Sequence, residues 1–218
     1  MNGKRKFIIV TALVVMLLAI GGVGAYYWYQ SFYYVTTEDA KVTADIVRVS
    51  PQITGKLIEF NVEEGQKVVS GQLLGRQEMI NLPDSGMELA ALKAPVSGIV
   101  IKTAGNVGEV VAPGQPLAML VEPGKVYITA NIDEIKLGKV QPGQKVDVTL
   151  DLYGSRKFTG TVRYVGQAAV AVFSMLPASS GGNFTKVIQK VPVKIYLDDT
   201  DGFKLLPGVN AMVRIHVK

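Results

Sequence analysis

A chain of 218 residues has room for one or two small domains with real cores, and none for a large catalytic architecture. Its formal charge of +5 falls by three once Lys4, Arg5 and Lys6 are set aside, and no block of like charge follows them, which excludes a nucleic-acid footprint. The absence of cysteine removes disulfides, thiol catalysis and thiolate metal sites.

From Phe7 to Tyr29 no side chain is charged. As a helix rising about 1.5 Å per residue, residues 7–29 cover the roughly 30 Å hydrocarbon layer of a bilayer. Phe7, Leu13, Leu17 and Ile20 then face lipid. Tyr26, Tyr27, Trp28, Tyr29, Phe32, Tyr33 and Tyr34 crowd the far end, where amphipathic rings settle among headgroups. The basic residues 1–6 predict a cytoplasmic N-terminus, hence a single-pass protein of the cytoplasmic membrane with its bulk outside the cytoplasm. A cleaved leader is the competing reading, with an apolar region from Phe7 to Ile20 and small residues at Val23, Gly24 and Ala25. The length of the run and the aromatic belt favour the anchor. Residues 30–44 read as a linker and a leading strand.

An internal repeat follows. PQITGKLIEFNVEEGQKVVSGQLL, from Pro51, recurs as PVSGIVIKTAGNVGEVVAPGQPL, from Pro95, and Gly55/Gly98, Gly65/Gly108, Val68/Val111, Gly71/Gly114, Gln72/Gln115 and Leu74/Leu117 share one spacing. Short apolar runs between glycines predict short strands joined by tight turns, with the six glycines as turn residues of positive φ. Neither half can bury its own apolar face, so residues 45–123 are expected to close as a barrel-sandwich hybrid around a short insert, 75–94. At most one short helix, capped by Ser85 and running through Leu92, fits that insert.

Beyond Pro123-Gly124 the period becomes two. Val126, Ile128, Ala130 and Ile132 mark one strand, Val146, Val148, Leu150 and Leu152 a second, Val191, Val193, Ile195 and Leu197 a third, and Val213, Ile215 and Val217 the last. An antiparallel β-barrel over 124–218 follows. The segment between Val165 and Val187 is too long for a bare turn. Its Phe173, Met175, Leu176, Pro177, Asn183 and Phe184 have two readings: a patch that contacts a partner or the membrane, or a plug for one end of the barrel.

The repeat resembles the biotinyl and lipoyl domain superfamily, whose carrier members display a modified lysine between the two halves. No lysine lies between Lys67 and Lys93, so no cofactor attachment is expected. TTEDAKVTADIVRVSPQITGKL, from Thr36, resembles the leading segment of HlyD-type membrane fusion proteins. DLYGSRKFTGTV, from Asp151, and FSMLPASSGGNFTKVIQKVPVKI, from Phe173, are similar to the barrel of the Emr-type multidrug-efflux adaptors. The resemblance implies a mainly β, non-enzymatic adaptor with an N-terminal transmembrane helix, a lipoyl-like domain and a barrel. It also implies homo-oligomerisation and an inner-membrane transporter as partner, of major-facilitator type in the Emr branch, although an ATP-driven pump fits the sequence as well. Typical members insert a long helical hairpin between the lipoyl halves. The residues 75–94 available here include Pro83 and Gly86 and cannot form a two-arm coiled coil, which implies a short-reach adaptor, from a single-membrane bacterium or a truncated variant.

Catalytic chemistry is sparse. The lone histidine, His216, alternates with Arg214 and Lys218 on the polar face of the last strand and reads as solvated surface. Asp198-Asp199-Thr200-Asp201-Gly202 lacks the closing acidic residue of a calcium loop and reads as a polar hairpin tip. No catalytic, metal or cofactor residue is nominated. A membrane-tethered envelope scaffold with no pump is the alternative function, and an anchored hydrolase a distant third.

Overall fold

The computed structural model describes residues 3–78, 88–154, 156–173, 188–200 and 202–217. Helix α1 (Gly3–Tyr33) passes into β1 (Tyr34–Val49) without an intervening residue. There follow β2 (Gly55–Phe60), β3 (Lys67–Val68), β4 (Leu73–Glu78), β5 (Ala91–Lys93), β6 (Gly98–Thr103), β7 (Val110–Val111) and β8 (Ala118–Asp133). A one-turn helix, α2 (Glu134–Leu137), precedes β9 (Lys145–Leu150), β10 (Lys157–Val165), β11 (Lys190–Leu197) and β12 (Asn210–His216). The chain divides into two compact units: Val42–Tyr127 with Phe203–Gly208, and the remainder.

The first unit realises the repeat. Its strands form the ladders β5-β4-β2-β7 and β3-β6-β8, all antiparallel. The two halves exchange equivalent hydrogen bonds: Gly65 N–H donates to the Val100 carbonyl and Gly108 N–H to that of Leu57, both at 2.7 Å. Asn61 N–H donates to Leu74 and Ala104 N–H to Leu117 in the same way. One residue spacing therefore serves both sequence and geometry, a pseudo-twofold in which each half completes the other. Between the ladders lie Val49, Val62, Val68, Leu74, Val100 and Leu120 in one cluster and Leu57, Leu92, Val111 and Leu117 in another, with Phe60 packed against both. Burying a side chain of this size is worth about 1.5–3 kcal/mol, so the duplicated apolar positions hold the unit together.

The glycines divide into two kinds, a correction to the uniform turn role expected of them. Gly65, Gly71, Gly108 and Gly114 have φ of 82° to 95°, the left-handed region that side chains resist. Gly55 and Gly98 are not turn residues. Each opens a strand, where a Cβ would stand 2.6 Å from the Glu78 carbonyl oxygen and 2.5 Å from that of Val121. Four turns also share a reciprocal lock. The side-chain oxygens of Gln66, Gln72, Gln115 and Gln144 accept the backbone N–H three residues earlier, while their own N–H groups donate back to that residue's carbonyl.

The insert also departs from expectation. Ala91–Lys93 is strand β5, paired with β4 through Arg76↔Ala91 and Gly75↔Leu92, so no helix runs through Leu92. Ladder pairing outweighs the local helix propensity of these residues. Ser85 lies outside the described residues.

The second unit contains α1 and a closed six-stranded antiparallel barrel in the order β1-β12-β9-β10-β11-β8, with β8 returning to β1. Closure leaves no free sheet edge. Of residues 30–44, read from sequence as a linker and a leading strand, 34–41 are a full barrel strand paired with β12. Val35, Ile128, Ile132, Val146, Val148, Phe158, Val162, Val193, Ile195, Val213 and Ile215 fill the interior. Leu152 does not join them: β9 ends at Leu150, and Leu152 is exposed in the one-turn 3-10 helix Asp151–Tyr153. Leu197 and Val217 are only half-buried.

Candidate membrane and partner interface

Strand directions decide which loops share the rim at which α1 arrives. β1 begins there, as Tyr34↔His216 and the Val217 N–H bond to the Tyr33 carbonyl (3.0 Å) show. The pairings Ile215↔Val146, Gly160↔Val146, Val165↔Val193 and Lys190↔Asp133 carry the same end round the barrel. The β8–β9 connection, containing α2, and the long β10–β11 connection therefore open on the helix side. They touch one another, Glu134 N–H donating to Gln189 O at 2.9 Å, and Lys139 Nζ donates to the Ser31 carbonyl at 3.0 Å.

Of the anchor residues nominated from sequence, Phe7, Leu13, Leu17, Ile20, Tyr26, Trp28 and Tyr29 are all more than half exposed, and no part of the apolar stretch Thr11–Tyr33 is buried. A helix apolar all round and covered by nothing is suited to lipid. Trp28 stacks on Phe32, and Tyr29 meets Tyr33 at a tilt of 37°, each pair one helical turn apart. Of the nominated loop residues, Phe173 ends the 3-10 turn Val170–Phe173 on the helix-side rim. Met175, Leu176, Pro177, Asn183 and Phe184 lie outside the described residues. Their described neighbours Val172 and Ile188 are 71% and 50% exposed, so this connection carries uncovered apolar surface.

A polar cluster that sequence reasoning missed fastens the barrel where it closes. A register shift between Thr37 and Ala40 bulges β1, and the Asp39 N–H donates to Thr37 Oγ1 (3.1 Å). Asp39 then accepts from Lys190 Nζ of β11 at 2.7 Å and from Asn131 Nδ2 of β8 at 3.0 Å, while Thr37 Oγ1 donates to the Asn131 carbonyl. Hydrogen bonding from Lys190, against some desolvation, holds the Asp39 carboxyl below its ordinary range, and Asp39 in turn raises Lys190. The one available signal was the acidic pair Glu38-Asp39 in the TTEDA segment; nothing in the sequence names the partners of Asp39.

His216 is not free surface. Its Nε2 lies 2.9 Å from Asp147 Oδ2, and its ring meets Tyr34 edge-on. Asp198 is likewise engaged, by Lys145 Nζ at 3.0 Å and Thr161 Oγ1 at 2.9 Å, and hydrogen bonding from Lys145 lowers its carboxyl. Among the described residues no group of three or more His, Asp or Glu converges on a metal position.

Known proteins match this arrangement. Residues 45–122 fit the family model described as RND MFP, barrel-sandwich hybrid domain, and residues 126–215 fit the YknX-like beta-barrel domain. YhbJ of Bacillus subtilis, named for an efflux system, is 37% identical over 99% of this chain and 94% of its own length. The chain belongs to the membrane fusion proteins of efflux systems. The adaptor is also 32% identical to the colistin resistance protein EmrA of Acinetobacter baumannii and 38% identical to the multidrug resistance protein EmrK of Escherichia coli. It spans only 40% and 28% of their lengths. Its fold is that of the periplasmic adaptor EmrA (TM-score 0.56, 16% identity, 84% of this chain and 98% of that one). The membrane fusion protein Spr0693 of Streptococcus pneumoniae is equally similar (TM-score 0.57, 16% identity, 85% and 99%).

Proposed function

We propose that this adaptor is a short-reach subunit tethered by α1 in the cytoplasmic membrane, with its β units outside the cytoplasm and its helix-side rim against an inner-membrane transporter. The observation that carries the reading is the placement of both exposed connections, β8–β9 and β10–β11, on the rim where the apolar helix arrives. A transporter embedded beside α1 would meet these loops first. The Emr-named relatives favour a proton-driven major-facilitator pump exporting drug-like compounds. The pump supplies the energy, and the adaptor, self-associated around it, performs no catalysis. YhbJ aligns over nearly its whole length and so has no room for a long helical arm either, which supports an adaptor built to work at one membrane.

Co-purification of the full chain with candidate major-facilitator transporters encoded beside it tests this. The native protein should retain the pump, and the double variant Val172→Asp, Ile188→Asp should release it while still inserting in membranes. Recovery of the adaptor alone, with unchanged drug susceptibility on its deletion, refutes the proposal.

A further inference from the structure

The helix-side rim contains a groove of about 260 Å³ that the adaptor role does not require. Tyr27, Gln30 and Ser31 from the end of α1, Tyr34 from β1, and Lys136 and Lys139 from the β8–β9 connection line it, and no carboxylate is among its described lining residues. We propose that this groove binds the phosphate of an anionic glycerophospholipid. The inference rests on the membrane reading of α1 and is independent of the pump.

Depth is the first argument. Measured from Phe7, about 20 helical residues cross the roughly 30 Å hydrocarbon layer, which brings the boundary to Tyr26–Tyr27. The headgroup zone of about 5–7 Å beyond takes in four or five more residues, ending at Gln30 and Ser31. The groove therefore opens at the level of lipid phosphates.

Charge is the second. A bare helix C-terminus presents carbonyl oxygens and about half a negative charge, and would repel a phosphate. Here Lys139 Nζ is bonded to the Ser31 carbonyl at 3.0 Å and reverses that field. Lys136, paired with Asp133 at 3.3 Å, brings a second ammonium to the same groove. Each ammonium carries three donors and has used one in these contacts, and the two tyrosine hydroxyls can add more. Phosphatidylcholine offers the same phosphate, but its quaternary ammonium would stand against the two lysines, so the groove selects net negative lipids.

The test uses the full chain in neutral detergent, with lipid adducts counted by native mass spectrometry on adding phosphatidylglycerol or phosphatidylcholine of equal acyl length. A lysine near anionic lipid is worth roughly fivefold in affinity, and Asp133 offsets part of one, so a five- to tenfold preference for phosphatidylglycerol is expected. Lys136→Gln with Lys139→Gln should abolish the preference, Lys136→Arg with Lys139→Arg should keep it, and Lys145→Gln, outside the groove, should leave it unchanged. Equal binding of both lipids, or a preference that survives the double glutamine variant, overturns the proposal. Displacement of the lipid by millimolar inorganic phosphate would assign the groove to the free ion and overturn the lipid assignment. Flotation with pure phosphatidylcholine vesicles reads the anchor separately: a chain that does not float fails the membrane reading, whereas one that floats without discriminating fails only the groove.

Discussion

Substituting Gly98 by alanine separates the two uses of glycine in the duplicated unit. The new Cβ would lie 2.5 Å from the Val121 carbonyl oxygen, whereas ordinary carbon–oxygen contacts across strands fall near 3.3 Å, so β6 and β8 must part by about 0.8 Å. The obstacle is backbone, held by the pairing Ile99↔Val121, and cannot rotate away. Overpacking of this kind costs about 1–3 kcal/mol, and the rigid neighbour argues for the upper end. Gly65→Ala meets nothing within 4 Å and suffers only from its φ of +86°, worth about 1 kcal/mol. At 2–4 °C per kcal/mol for a chain of this size, Gly98→Ala should lower the melting temperature by about 5–10 °C and Gly65→Ala by about 2–4 °C. Far-UV circular dichroism of the full chain in detergent reads both, and Gly55→Ala should match Gly98→Ala if the pseudo-twofold holds. A Gly98→Ala protein melting within about 2 °C of the native chain, or above Gly65→Ala, would refute the close-approach argument.

Three further outcomes are expected. The depressed Asp39 carboxyl contributes stability that is present above pH ~4 and lost as pH falls through its folded value, while the raised Lys190 contributes below its ordinary value and loses its part only in strong alkali. Asp39→Asn should therefore lower the melting temperature modestly at pH 7 in low salt and by less as the pH falls below the ordinary carboxylate range; an equal drop in both conditions would show that the charge is irrelevant. Gln144→Leu removes the bonds to the Gln141 N–H and the Lys139 carbonyl, both 2.9 Å, and should cost about 1 kcal/mol by the same thermal assay, with no loss counting against the turn lock. Trp28 is the sole tryptophan, so fluorescence of the full chain in vesicles should be quenched more by probes at the headgroup level than by probes at the bilayer centre; the reverse order would misplace the belt.

Period and repetition carried most of the architecture. Val126 to Ile132 could be read as a strand because apolar residues alternate there, and burial does alternate from Ile128 onward; the two lipoyl halves were legible because their shared spacing is also the spacing of their hydrogen bonds. Residues 34–41 were harder, since the bulge between Thr37 and Ala40 breaks the alternation that marks a strand. Leu152 misled because it keeps the period of β9 past the strand's end. Gly55 and Gly98 look like Gly65 in a sequence, where a glycine kept for φ and one kept for room are the same letter. At the interface, the apolar anchor was evident from composition alone. The Asp39–Asn131–Lys190 cluster was not, because Lys190 lies 151 residues from its partner and only barrel closure brings them together.

The passage from α1 into β1 without a spare residue makes the length of the span a setting for the barrel. Each residue added to the helix would raise the barrel by about 1.5 Å and swing it by about 100°, turning a different flank toward whatever stands alongside. The shortest insertion that comes close to restoring the original bearing is about seven residues, two turns, at an added height of about 10 Å. Copies of this adaptor matched to one neighbour are thus constrained in span length by azimuth as strictly as by the thickness of the membrane.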